Sequence, residues 1–123
     1  MKLKGLLAIF ILAAAVLVIL RQTKPVGEEG LMKKIQAVDT AREQATRMNL
    51  KAIQQEIVMY ISTHSRTPQD LKQLPPRALL MIGTADAWGT PVQYKRISDD
   101  SFHLISAGND REFNTTDDIV LEY

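Results

Sequence analysis

Residues 92–106, VQYKRISDDSFHLIS, read as two strands joined at Ser98-Asp99-Asp100. The first strand is expected over 92–97 and the second over 101–106, where Phe102, Leu104 and Ser106 alternate with His103 and Ile105. A period of two gives a strand one face toward a core and one away from it. A third strand is expected at the end of the sequence, DIVLEY over 118–123.

Upstream of these strands the period changes. From Glu28 to about Thr63, apolar residues recur in steps of three and four at Leu31, Ile35, Val38, Ala41, Ala45, Met48 and Ala52, and Leu50, Ile53, Ile57, Tyr60 and Ile61 widen the face. That spacing predicts one long amphipathic helix, with Glu28 and Glu29 suited to its first turn. Lys33, Glu43, Arg47, Lys51 and Gln54 fall largely on the other side, while Arg42 and Glu56 lie nearer the stripe. After it, Thr67 or Ser65 is expected to cap a helical turn with Pro68 at its first position and Asp70 nearby, sending Leu71 and Leu74 inward. Pro75 and Pro76 are expected to divide the segment that follows. Helix and strands are segregated along the chain, so the expected class is α+β: a long helix packed on a small antiparallel sheet of about three strands.

The first residues are of another kind. Gly5 to Leu20, GLLAIFILAAAVLVIL, is sixteen residues without a charge, flanked by Lys2 and Lys4 and by Arg21 and Lys24. As a helix it would reach about 24 Å against roughly 30 Å of hydrocarbon, workable if the flanking cations snorkel. A cleaved signal peptide is the competing reading, with Ala13, Ala14 and Ala15 as a cleavage site. The apolar run continues through VLVIL to Arg21, which argues for a retained anchor. The expected organisation is therefore an anchor over 1–24 and a domain over 25–123, broken at Pro25-Val26-Gly27. Lys and Arg on the two sides of the span are balanced and leave its orientation open.

Composition narrows the chemistry. The 123 residues contain no cysteine, which excludes disulfides, zinc-thiolate sites and thiol catalysis. A net charge of +1, with basic residues scattered among acidic ones, gives no basis for nucleic-acid binding. No G-x-S-x-G elbow frames a nucleophile, and His64 and His103 without Cys make a poor transition-metal set, so no catalytic residue is expected. Asp86-Ala87-Trp88-Gly89, leading to Pro91, reads as a turn that fixes a backbone corner with the indole over the sheet. Between the second and third strands, AGNDREFNTTDDI over 107–119 carries Asp110, Asp117 and Asp118 among Asn109, Asn114 and Thr115. Such hard oxygens suit calcium, but the spacing is not that of an EF-hand, and a solvated polar turn has the same composition.

Taken together, Asp86-Ala87-Trp88-Gly89-Thr90-Pro91-Val92-Gln93-Tyr94, then Ser106-Ala107-Gly108-Asn109-Asp110, then Thr116-Asp117-Asp118-Ile119, resemble the C-terminal domain of type II secretion major pseudopilins, whose pattern runs D-P-W-G-x-P-Y-x-Y, S-x-G-x-D and an acidic end. The resemblance covers roughly 28–123. It implies a non-enzymatic structural or assembly component in the inner membrane, single-pass, with its C-terminal domain in the periplasm or outside the cell, and with other pseudopilins or secretion-system proteins as partners. It also implies a bound Ca²⁺, with Asp110 and Asp117 as side-chain ligands, Asp118 as a substitute, and Ala107 and Glu112 offering backbone carbonyls. The N-terminus departs from the family. Gly5 is followed by Leu6, and the fifth position after the glycine is Phe10 where the family carries Glu. That departure favours an uncleaved anchor, and it opens a second expectation: a membrane-tethered periplasmic binding module that reuses the pseudopilin fold without forming filaments.

Overall fold

A computed structural model describes residues 27–123 and, ahead of them, Val18 alone. The expected anchor over 5–20 and nearly all of the break at 25–27 lie outside the described residues. Among the described residues no helix is long and apolar enough to cross a membrane.

The chain runs through α1 (Glu28–His64), a 3₁₀ turn (Leu71–Gln73), α2 (Pro76–Ile82), β1 (Gln93–Arg96), β2 (Phe102–Ser106) and β3 (Ile119–Glu122). It divides into two units between Gln36 and Ala37, within α1. In the N-terminal unit α1 opens with Glu28 and Glu29 in its first turn, where carboxylates complement the helix dipole. Lys33 pairs with Glu29 at 3.2 Å, and Leu31, Met32 and Ile35 are exposed.

The second unit holds the sheet and the core. β1, β2 and β3 lie in that order, antiparallel throughout, with Tyr94 opposite Leu104 and Ser106 opposite Ile119. Phe102 and Tyr123 extend the last ladder by exchanging two backbone hydrogen bonds of 3.0 Å. The α+β class and the three-stranded sheet are as the sequence reads, with β2 one residue and β1 and β3 two residues shorter than expected. Phe102, Leu104 and Ser106 are buried, and His103 and Ile105 are not. From α1 the core takes Leu50, Ile53 and Ile57, with Tyr60 and Ile61 beside them; the other elements and loops add Leu71, Leu74, Trp88, Val92, Phe102, Leu104 and Ile119.

Three features differ from the sequence reading. Val38 and Met48 are exposed and belong to no core, as are Leu31 and Ile35 in the first unit. Met48 is two residues from the buried Leu50 and falls on the opposite side of the helix, so exposure in the second unit follows from which side of α1 faces the core. The cap after α1 is Asp70, whose carboxylate accepts from Lys72 N at 3.0 Å. Thr67 is committed elsewhere: its hydroxyl donates to Ser98 O at 2.6 Å and receives Arg96 Nε at 2.7 Å, pinning the β1–β2 turn. Pro76, finally, starts a helix, since a proline at the first helical position loses no hydrogen bond the helix would have made.

Candidate metal centre

The loop that carries the acidic residues begins where β2 ends. Ala107 and Gly108 are buried, and Gly108 has φ +66°, a left-handed conformation open to glycine without penalty. A Cβ there would collide with the Asp117 carbonyl oxygen and lie 2.8 Å from its Oδ2. Glycine thus brings the two ends of the loop together.

The carboxylates then organise the backbone between those ends. Asp117 Oδ2 accepts from Asp110 N at 3.0 Å, and Asp110 Oδ1 accepts from Glu112 N at 2.9 Å. Asp118 Oδ2 accepts from Asn114 N at 2.8 Å. The Thr115 hydroxyl lies 3.2 Å from the Glu112 carbonyl and 2.9 Å from Asp117 Oδ1. Asp117 is held below the usual carboxylate range, chiefly by the Asp110 N–H and against some opposing burial. Arg111 and Asn114 both adopt positive φ, 61° and 70°, so this hydrogen-bonded path costs backbone strain.

The five residues expected to ligate are therefore on one loop, but not in one cluster. Asp110 and Asp117 meet through a backbone N–H, Asp118 caps a different turn at Asn114, the Glu112 carbonyl faces Thr115, and Ala107 is buried at the strand end. Among the described residues no three His, Asp or Glu side chains converge to hold a metal. One atom is left over: Asp118 Oδ1 is buried with no hydrogen-bond partner. A buried carboxylate oxygen without a donor is costly, and a hard cation is one group that satisfies it. The donor set, carboxylates plus backbone carbonyls, fits calcium.

A second knot lies against this loop. Asp86 is buried, its Oδ1 accepting from Trp88 N at 3.0 Å and Thr90 N at 2.8 Å, and its Oδ2 accepting from Ser106 Oγ at 2.6 Å. Ser106 Oγ in turn lies 3.2 Å from Gly108 N. Thr46, buried on α1, receives Ala87 N at 3.0 Å, and Asn49 donates to the Ala85 carbonyl at 2.9 Å. The Asp-x-Trp-Gly corner is thus bolted to the helix on one side and to the root of the acidic loop on the other. Its structural role was readable in the turn residues; the tie to Ser106 was not, since nothing in the order of residues 86 and 106 announces it. His64 is exposed and stacks on Tyr60, and His103 sits 3.7 Å from Glu122 at the sheet surface, so the two histidines stand on separate elements.

Compared with family models, curated proteins and solved structures, the chain matches none.

Proposed function

We propose that the chain is a non-enzymatic structural or assembly component of the type II secretion pseudopilin kind, held in the inner membrane by residues 5–20 and exposing its 25–123 domain to the periplasm or exterior. The observation that carries this reading is the buried Asp86–Ser106 hydrogen bond. It joins the two stretches on which the resemblance rests, the D-x-W-G-x-P corner and the S-x-G-x-D loop, into one unit. Asp86 has both oxygens engaged by that frame, which supports a structural use of this buried carboxylate over a catalytic one.

Calcium belongs to the same proposal. Bound at the loop, it would be held by the Asp110, Asp117 and Asp118 carboxylates with the Ala107 and Glu112 carbonyls, and it would supply positive charge to a loop that carries three acidic side chains. The residues themselves close Gly108 onto Asp117, turn the backbone at Asp110 and Asn114, and seat Ile119 beside Ser106 in the sheet.

The test is cross-linking and co-purification of the full chain from its native membranes, with intact mass of the recovered protein. Recovery with secretion or pilus machinery is the expected result. A chain recovered alone would instead favour the membrane-tethered binding module, and a mature N-terminus at Leu6 or after Ala15 would overturn the retained anchor.

A further inference from the structure

The face of α1 turned away from the core carries no charge over seven turns. At about 100° per residue, Ala41, Ala45, Met48, Ala52, Gln55, Met59 and Ser62 lie across the helix from Leu50, Ile53 and Ile57, with Val38 at the edge of the same face. All are exposed except Ala52, which is half-buried, and the large side chains are open to solvent: Val38 at 51%, Met48 at 72% and Met59 at 64%. The steps alternate three and four, a heptad seam with Val38, Ala45, Ala52 and Met59 at the a positions and the rest at d. Ser62, at the last d position, turns its hydroxyl back onto the Met59 carbonyl at 2.7 Å and so asks nothing of a partner.

The geometry points to a second copy of this chain as the occupant of that face, in a parallel helix pair. The charges beside the seam select this partner and this direction. Lys51 is at a g position and Glu56 at the following e position, five residues on, the spacing at which a parallel pair brings g of one helix to e of the other. Two-fold symmetry makes the Lys51–Glu56 contact twice. Neither residue is in an ion pair within its own chain among the described residues, whereas Arg47 is already held by Glu43 at 2.8 Å. An antiparallel pair along the whole seam would set Arg42 against Glu56 at the e positions but would press Lys51 against its own copy, a like-charge contact that the parallel pair avoids. The seam is roughly 37 Å long with alanine at three of eight positions, a smaller contact than the about 1,200–2,000 Å² of a stable interface. The pair is therefore weak in dilute solution and forms where copies are concentrated in one membrane.

This names a partner for the assembly reading and rests on it. Because the chain has no cysteine, single-cysteine variants of the full chain in membranes give a clean readout under mild oxidation. Met48→Cys and Gln55→Cys should form disulfide-linked dimers several-fold more than Arg47→Cys, which lies off the seam. Lys51→Glu should reduce that yield, and Lys51→Glu with Glu56→Lys should restore it. Equal yields at the three positions would overturn the contact, and seam cross-links indifferent to both charge variants would overturn the parallel register and with it the proposal. Persistent co-purification with secretion proteins without seam cross-links would sink the self-contact alone. Seam dimers without such partners would sink the secretion assignment and leave the contact standing.

Discussion

Removing the Asp86 carboxylate should cost the domain much of its stability. Asp86→Ala leaves the Trp88 N–H and the Ser106 hydroxyl as buried donors without an acceptor, and the part-buried Thr90 N–H loses its 2.8 Å acceptor. Each buried orphan costs about 1–3 kcal/mol, so with a reduced share for the Thr90 group the total comes to about 3–7 kcal/mol. A unit of this size has about 4–13 kcal/mol in all, by the usual stability per residue. The loss should lower Tm by upwards of about 12 °C. Asp86→Asn keeps Oδ1 for the two backbone donors but turns an amide donor toward Ser106, so its cost should be about 1–2 kcal/mol. Urea and thermal melts of the fragment from Glu28 onward, with Ser106→Ala completing a double-mutant cycle, measure these terms. The cycle should show a coupling of at least about 1 kcal/mol, as expected for residues sharing a hydrogen bond. A cost below about 0.5 kcal/mol for Asp86→Ala, or strictly additive single mutants, would show that the corner and the loop are not tied through this carboxylate.

Calcium at about 100 times its Kd should add roughly 2.7 kcal/mol to the same fragment, and Asp110→Ala or Asp117→Ala should erase the gain; equal melting in calcium and in chelator would leave the loop a solvated turn. Gly108→Ala should destabilise by at least about 2 kcal/mol, from left-handed strain plus the clash with Asp117, and a melt within error of wild type would refute the close approach. Because the Asp117 pKa is depressed in the folded state, its contribution is present above the unfolded value of about 4 and lost as pH falls through the folded one. Asp117→Asn should therefore flatten the acid limb of the stability profile below about pH 4 in chelator, and an unchanged acid limb would contradict the Asp110 N–H as its cause.

Local pattern made the strands, the long helix and the burial of Leu71 and Leu74 legible, because periods of two and of three-to-four are properties of neighbouring residues. Which part of the helix face meets the core was not legible. Val38 and Met48 fit a stripe as well as Leu50, Ile53 and Ile57 do, and only the side of the helix that turns to the sheet decides among them. The second helix was hidden by Pro75 and Pro76, a pair that reads as a breaker but serves as a start. In the acidic loop the residue types pointed to hard-oxygen chemistry, yet which carboxylate oxygens go to backbone N–H groups and which remain over depends on Gly108 and on positive φ at Arg111 and Asn114. Those are three-dimensional facts that composition does not carry.

The contacts that fasten Thr46 to Ala87 and Asn49 to Ala85 span 41 and 36 residues. The last strand closes farther still, with Ile119 in the same core as Leu50. Contacts of such separation form late, since the loop-closure entropy is spent before they give anything back. Until residues 119–123 have joined the sheet, the core around Leu50, Ile53 and Ile57 lacks Ile119. A chain still short of residue 119 thus carries Leu50, Ile53 and Ile57 in an incomplete core, and apolar surface left open before the final strand arrives is prone to aggregation.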